Sequence, residues 1–194
     1  YGSRESRNLR DRHMFSTLRS VMRHRGDGAR AVVWAHNSHI GDATATEMGM
    51  RGEINIGQLA RETVGDDAYL VGFGTDHGTA AAASNWDEPM QVMRVRPSHA
   101  ESYERIFHQV DHPRFTLPLS RGDSAELRHD LATPRLERAI GVIYRPETER
   151  ICHYFESVLT KQFDEYIWFD ETTAVQPLDG RDNESLADDH PLKT

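Results

Sequence analysis

Arg30-Ala31-Val32-Val33-Trp34-Ala35 is a short, continuous apolar run of the kind that forms a strand covered on both faces. Gly26-Asp27-Gly28 precedes it as a turn, and the residues beyond it predict a helix over 55–64. In that helix Asn55 is the cap with Gln58 three positions on, Ile56, Leu59, Ala60 and Val64 form the buried stripe, and Gly65 ends it. Ala68-Tyr69-Leu70-Val71-Gly72-Phe73 supplies the next strand. Strand, helix and strand in this order imply a right-handed crossover, and so an α/β fold with a mostly parallel sheet flanked by helices.

Upstream, Phe15, Leu18, Val21 and Met22 recur at helical spacing among arginines, which marks an amphipathic helix with a basic solvated face. Downstream, Met90–Val95 reads as a strand and Ser98-His99-Ala100-Glu101 as a capping box. The helix it opens buries Tyr103, Ile106, Phe107 and Val110. Arg114–Leu119, Ala139–Tyr144 and Tyr166–Phe169 read as strands, and Asp123–Leu131 as a short capped helix. The domain is expected to span residues 1–178, with 179–194 a disordered acidic tail.

The 194 residues carry 23 Lys and Arg against 31 Asp and Glu, a net charge of -8. That balance argues against a nucleic-acid partner, which needs clustered positive surface. Cys152 is the only cysteine, so neither an internal disulfide nor a cysteine-rich zinc site can form. No apolar run approaches the ~20 residues that cross a bilayer. These features predict a soluble, cytoplasmic protein with no membrane partner.

The densest polar cluster, His36-Asn37-Ser38-His39-Ile40-Gly41-Asp42, leaves the carboxyl end of the first expected strand, where open parallel sheets place their ligand clefts. Residues three apart on a continuing strand face opposite ways, so His36 and His39 converge only if Asn37 and Ser38 make a turn or a helical start. Two imidazoles there suit ester hydrolysis: one accepts a proton from water while the other stabilises the developing oxyanion. Asn37 adds a donor and an acceptor for substrate or for fixing a tautomer.

Competing readings attach to the same residues. His36, His39 and either Asp42 or Glu47 offer nitrogen and oxygen ligands for a divalent ion, although the spacing is not that of a His-Glu-x-x-His site. The preferred reading needs neither metal nor cofactor. His36 and Asn37 could equally satisfy backbone groups in a loop. No Gly-x-Ser-x-Gly elbow occurs, and Gly122-Asp123-Ser124 is read as a helix cap. Gly72–Gly78 reads as a glycine-permitted loop at the sheet edge with His77 beside the cleft. Arg145 suits an ion pair or an anion, and His153 a core or pocket position.

The segment Trp34-Ala35-His36-Asn37-Ser38-His39-Ile40-Gly41-Asp42, with Gly57-Gln58-Leu59 and Gly72-Phe73-Gly74, resembles the erythromycin esterase family. The likeness runs from about residue 6 to residue 178 and includes Arg135–Tyr144 and the Phe163–Asp170 region. It implies an α/β fold and hydrolysis of a macrolide lactone-type carboxylic ester by activated water, without a covalent serine intermediate. The His-Asn-x-His block lines the cleft in that family, which gives His36 and His39 a catalytic role and Asn37 a substrate-binding one. The family's Gly-Glu-x-x-His-Gly block, whose histidine is the proposed general base, has no match here, because Gly52-Glu53 is followed by Ile54-Asn55-Ile56-Gly57. The resemblance is therefore to the carboxyl-terminal portion, with the upstream half of the same protein as partner and a small-molecule ester as substrate. The rivals are a metal-dependent hydrolase built on the same loop and a noncatalytic binding domain.

Overall fold

A computed structural model describes residues 3–120 and 125–176. The chain opens with α1 (Arg4–Arg25), then three helices, α2 (Asn37–Ile40), α3 (Glu47–Met50) and α4 (Ile56–Val64). Strands β1 (Val71–Ala82) and β2 (Gln91–Val95) follow, then α5 (Tyr103–His108), β3 (Arg114–Pro118) and α6 (Ala125–Asp130). The remainder is β4 (Arg135–Arg138), α7 (Glu149–Cys152), β5 (Tyr154–Ser157), α8 (Leu159–Gln162) and β6 (Glu165–Thr172). Gly122-Asp123-Ser124 and the acidic segment 179–194 lie outside the described residues.

The fold is α/β, but its sheet is mixed where a mostly parallel one was expected. Four strands run in the order β2-β1-β6-β3, and β4 and β5 form a separate pair. Only β1 and β6 are parallel, in register from Val71 opposite Glu165 to Gly78 opposite Thr172. The β1·β2 and β3·β6 pairs are antiparallel. The expected first strand accounts for the difference. Residues 30–35 form no strand and no ladder among the described residues, and Val32 and Trp34 are 91% and 86% exposed. Without a neighbour for that run, the strand-helix-strand crossover does not form, and β1 takes its parallel partner from β6 instead.

Gly72–Gly78, expected as a loop, lies inside β1. The glycines serve packing: a Cβ at Gly72 or Gly74 would collide with the Tyr166 ring, and at Gly72 with Phe163 as well. Ala139–Tyr144, expected as a strand, holds only one isolated bridge, Ala83 with Ile143. The ladder there belongs to Arg135–Arg138, which pairs antiparallel with Tyr154–Ser157.

Helix α4 forms where the sequence places it, although Val64, expected in its buried stripe, is exposed. Asn55 caps it, its Oδ1 accepting from Gln58 N at 2.9 Å, and Gly65 ends it with φ of 55°. Helix α5 starts later than the capping box suggests, at Tyr103 with Ser102 as cap. Ser98 cannot cap because its backbone N–H and its hydroxyl both donate to the buried carboxylate of Asp76. Tyr103 and Phe107 are buried as expected, whereas Val110 is exposed. On α1, Asp11 and Phe15 are buried, so a carboxylate occupies the inward face of a helix whose outer face is basic.

The core joins Leu70, Tyr103, Phe107, Leu119, Leu131, Leu159, Phe163, Tyr166 and Trp168. Phe107 is its hub, with ring centroids 5.8 Å from Phe115 and 5.6 Å from both Tyr166 and Trp168. No helix among the described residues is long and apolar enough to cross a membrane. Truncating a buried aromatic removes its burial and leaves a cavity, so Phe107→Ala is expected to cost about 3–5 kcal/mol of unfolding free energy, read from urea denaturation. A loss below about 1 kcal/mol would show that the hub is not where the sheet and α5 are held together.

Candidate active site

Residues 37–40 make the turn that convergence requires. His36 is extended (φ -64°, ψ 148°) and acts as the cap of α2. His39 N and Ile40 N both donate to His36 O, at 2.8 and 3.3 Å. One helical turn thus brings His36 and His39 close on the same short element, yet their rings take different partners.

The His36 ring is fully engaged. Its Nδ1 accepts from Ser38 N at 3.2 Å and lies 2.9 Å from Ser38 Oγ, and its Nε2 lies 3.0 Å from Ile140 O. Since Nδ1 accepts, the proton sits on Nε2 and is donated to the Ile140 carbonyl. Burial lowers the pKa of His36 below the ordinary imidazole range; the Ile140 hydrogen bond opposes this and nearby His39 adds to it. The ring is neutral, with neither nitrogen left for a substrate.

His39 is held the other way. Its Nδ1 lies 2.8 Å from Asp11 Oδ1, and Asp11 is buried on the inward face of α1. An ionised carboxylate only accepts, so in the neutral ring the proton sits on Nδ1 and Nε2 keeps its lone pair. No group among the described residues is hydrogen-bonded to that Nε2, and the ring is partly exposed. Arg10 reaches the other oxygen of Asp11, Oδ2, at 3.3 Å.

Asn37 fastens the loop to the sheet. Its Nδ2 donates to Phe73 O at 2.7 Å and its Oδ1 accepts from Phe73 N at 3.2 Å, a backbone-like pairing with β1. From below, Asn55 Nδ2 donates to Ser38 O at 2.9 Å and to Gly41 O at 2.7 Å. Gly57 has no Cβ to collide with the Ile40 and Gly41 carbonyls. The turn is therefore clamped by α4, by β1 and, through His36, by the segment after β4.

The other expected ligands turn elsewhere. Asp42 Oδ1 caps its own turn, accepting from Thr44 N at 2.9 Å and Thr44 Oγ1 at 2.7 Å. Glu47 pairs with Arg51. Arg145 donates to Ser84 O at 3.0 Å and Asn85 Oδ1 at 2.8 Å, contacts that hold a loop. His153 is buried and accepts from Arg145 N at 3.0 Å, a core role, while neighbouring Cys152 is exposed.

Two features escaped the sequence reading. One is Asp11, whose only signal is a carboxylate four residues before Phe15 on the apolar stripe. The other is a buried pair of carboxyl groups, Glu104 and Glu137. Glu104 Oε1 accepts from Arg138 N at 2.8 Å, and burial raises its pKa. Burial, reinforced by Glu104, pushes Glu137 up to about 8, while Ser157, Gln162 and Asn37 face it and work against the rise. Neither oxygen of Glu137 closes a well-aligned hydrogen bond among the described residues. The carboxyl beneath the His-Asn-x-His turn is thus held in its neutral form near neutral pH.

Residues 1–172 match the erythromycin esterase family model. The chain belongs to the erythromycin esterase family. Among solved structures it is similar to a Bacillus cereus protein, with a TM-score of 0.72 at 20% identity over 88% of this chain and 40% of that one. A succinoglycan biosynthesis protein matches with a TM-score of 0.70 at 18% identity, over 89% of this chain and 40% of that one. A mutant of the erythromycin esterase EreC in its open conformation matches with a TM-score of 0.56 at 14% identity, over 83% of this chain and 36% of that one. These likenesses show a shared fold, and the chain spans 36–40% of the length of the structures it matches.

The Glu137 environment gives a pH dependence of defined sign. The folded protein binds the Glu137 proton with a pKa of about 8 against the ordinary 4.5. That contribution is complete below the unfolded value and is lost as pH rises through the folded one. The melting temperature of the wild type is therefore expected to fall more between pH 5 and pH 8 than that of Glu137→Gln, which keeps the shape and cannot ionise. Parallel pH profiles would contradict a buried neutral carboxyl.

Proposed function

We propose that this chain supplies the histidine-bearing wall of a hydrolase site that cleaves a carboxylic ester of the macrolide-lactone type by activated water, with His39 as the general base. The observation that carries the reading is the Asp11–His39 pair: the 2.8 Å contact at Nδ1 leaves the opposite nitrogen of a partly exposed ring as a proton acceptor. Family membership supports the reaction class. In this reading Nε2 of His39 takes a proton from water as the oxygen attacks the ester carbonyl. Asp11 stabilises the resulting imidazolium, and the same Nε2–H returns the proton to the departing alkoxide. His36 and Asn37 act by holding the turn, since their polar atoms are already committed to Ile140, Ser38 and Phe73. His36 is thereby a positioning residue.

The rest of the cleft is proposed to come from an upstream half of the same protein. The exposed run around Val32 and Trp34 supports this, as an apolar segment with no ladder partner among the described residues. The setting proposed is cytoplasmic, on a diffusible small-molecule ester, in keeping with a lone free cysteine.

In ester-hydrolysis assays on the protein with any upstream portion included, His39→Ala is expected to lower kcat by about 10²- to 10⁴-fold with the fold preserved by circular dichroism. Asp11→Asn should act in the same direction, because the carboxylate that stabilises the imidazolium formed in the reaction is gone. Wild-type turnover in His39→Ala would remove this histidine from the chemistry.

A further inference from the structure

A second cluster of titratable side chains lies away from the His36–His39 turn. Asp76 and His77 on β1 and His108 at the end of α5 come together, and Asp170 on β6 holds the His108 ring. Potential ligand atoms of Asp76, His77 and His108 all lie within 4.8 Å of one another. His77 Nδ1 is 3.0 Å from Asp76 Oδ2, His108 Nδ1 is 3.7 Å from that same oxygen, and His108 Nδ1 is 2.6 Å from Asp170 Oδ1.

The register explains the meeting. Asp76 and Asp170 sit between the paired positions Thr75 with Phe169 and His77 with Glu171, so they stand side by side on neighbouring strands. Adjacent residues of a regular strand point to opposite faces. Gly78, with φ of 122°, follows His77, whose Nδ1 reaches back to Asp76 Oδ2 at 3.0 Å. The His77 and His108 rings stand edge to face at 88° with centroids 6.0 Å apart, which lets both Nδ1 atoms approach one point.

The carboxylate is prepared as a ligand. Its Oδ1 is taken by Ser98 N at 3.2 Å, by the Ser98 hydroxyl and by Arg105 Nη2 at 3.3 Å, leaving Oδ2 for the cluster. Asp76 is buried while both histidines and Asp170 are partly exposed, so an ion has both a fixed anchor and a route in.

We propose that Asp76, His77 and His108 form a binding site for a divalent transition-metal cation of the zinc class, with Asp170 holding the His108 ring from outside. Bonds of about 2.0–2.1 Å in a tetrahedron separate ligand atoms by roughly 3.3 Å, and the 3.0 Å between Asp76 Oδ2 and His77 Nδ1 is close to that value. The 2.6 Å His108–Asp170 hydrogen bond is the carboxylate–imidazole contact that orients a metal-binding histidine. Mixed imidazole and carboxylate ligands suit zinc and cobalt better than calcium or magnesium. The ion would fasten β1 to α5.

The test uses the untagged full chain, stripped with chelator and titrated with zinc chloride by calorimetry and with cobalt chloride by visible absorption. One ion per chain is expected, with a melting temperature raised by roughly 5 °C at saturating zinc. His108→Ala and Asp170→Asn, both at partly exposed positions, should each weaken binding at least about tenfold. His13→Ala, on the exposed face of α1, should bind as wild type. Absence of stoichiometric binding, or binding that survives both the His108 and the Asp170 variant, overturns the proposal and leaves the cluster an ion-paired hydrogen-bond network. His77→Ala supplies a second ligand deletion if either of the first two variants fails to fold.

Discussion

The parallel ladder between β1 and β6 holds together segments that the sequence keeps far apart, and most of the remaining structure is arranged around it. Its glycines at 72 and 74 let the Tyr166 ring lie directly against β1. Asp164, just before β6, ties the entry of that ladder. Its carboxylate accepts from Leu70 N at 2.7 Å and from Arg61 Nη2 at 2.7 Å, and its carbonyl accepts from Leu119 N at 2.8 Å. One residue thereby links α4, the start of β1 and the end of β3. A buried carboxylate that left such donors would strand them without water, so this knot resists partial opening.

Behind the ladder lies a layer of buried charge. Arg138 donates to the carbonyls of Thr75, Asp76 at 2.7 Å and Arg96 at 2.8 Å, and pairs with Glu149 at 3.2 Å. Tyr144 Oη donates to the same Glu149 oxygen at 3.0 Å. Ions taken out of water are costly unless their hydrogen bonds are met, and Arg138 meets them chiefly with backbone carbonyls of β1. This fixes the short β4–β5 pair against the main sheet by directional bonds rather than by apolar contact. Burial and the nearby Glu104 keep Glu137, the neighbour of Arg138, neutral, and the guanidinium is turned instead to carbonyls and to Glu149.

What could be read from the sequence was local. The Asn55 cap, the Gly65 stop, the strands expected at 90–95 and 114–119 and the burial of Tyr103 and Phe107 on α5 depend on neighbours within a few residues, and they are present, the strands over 91–95 and 114–118. Parallel or antiparallel sense, by contrast, is a property of pairs. The run at 30–35 has strand composition but no partner among the described residues, so composition alone named a strand that the ladder does not contain. Glycines between 72 and 78 carry the same ambiguity, since they can free a loop or clear space for a ring. In the site, the turn at 37–40 was legible as a requirement. Asp11 was not, because 28 positions of chain separate it from His39 and nothing periodic links them.

The short turn also shows why a His-Asn-x-His spacing underdetermines chemistry. An imidazole can serve as base only where one nitrogen is relieved of its hydrogen-bonding duty, and the partner of the other nitrogen decides which one that is. Ser38 and Ile140 claim both nitrogens of His36, one accepting and one donating. Asp11 claims only Nδ1 of His39. The two rings, three residues apart, are thus fixed in opposite tautomers. The one that caps the helix buys the geometry in which the other is presented. A substitution at His36 would then act on His39 through the shape of the turn, whereas one at Asp11 would leave the turn in place and remove the partner of the His39 ring.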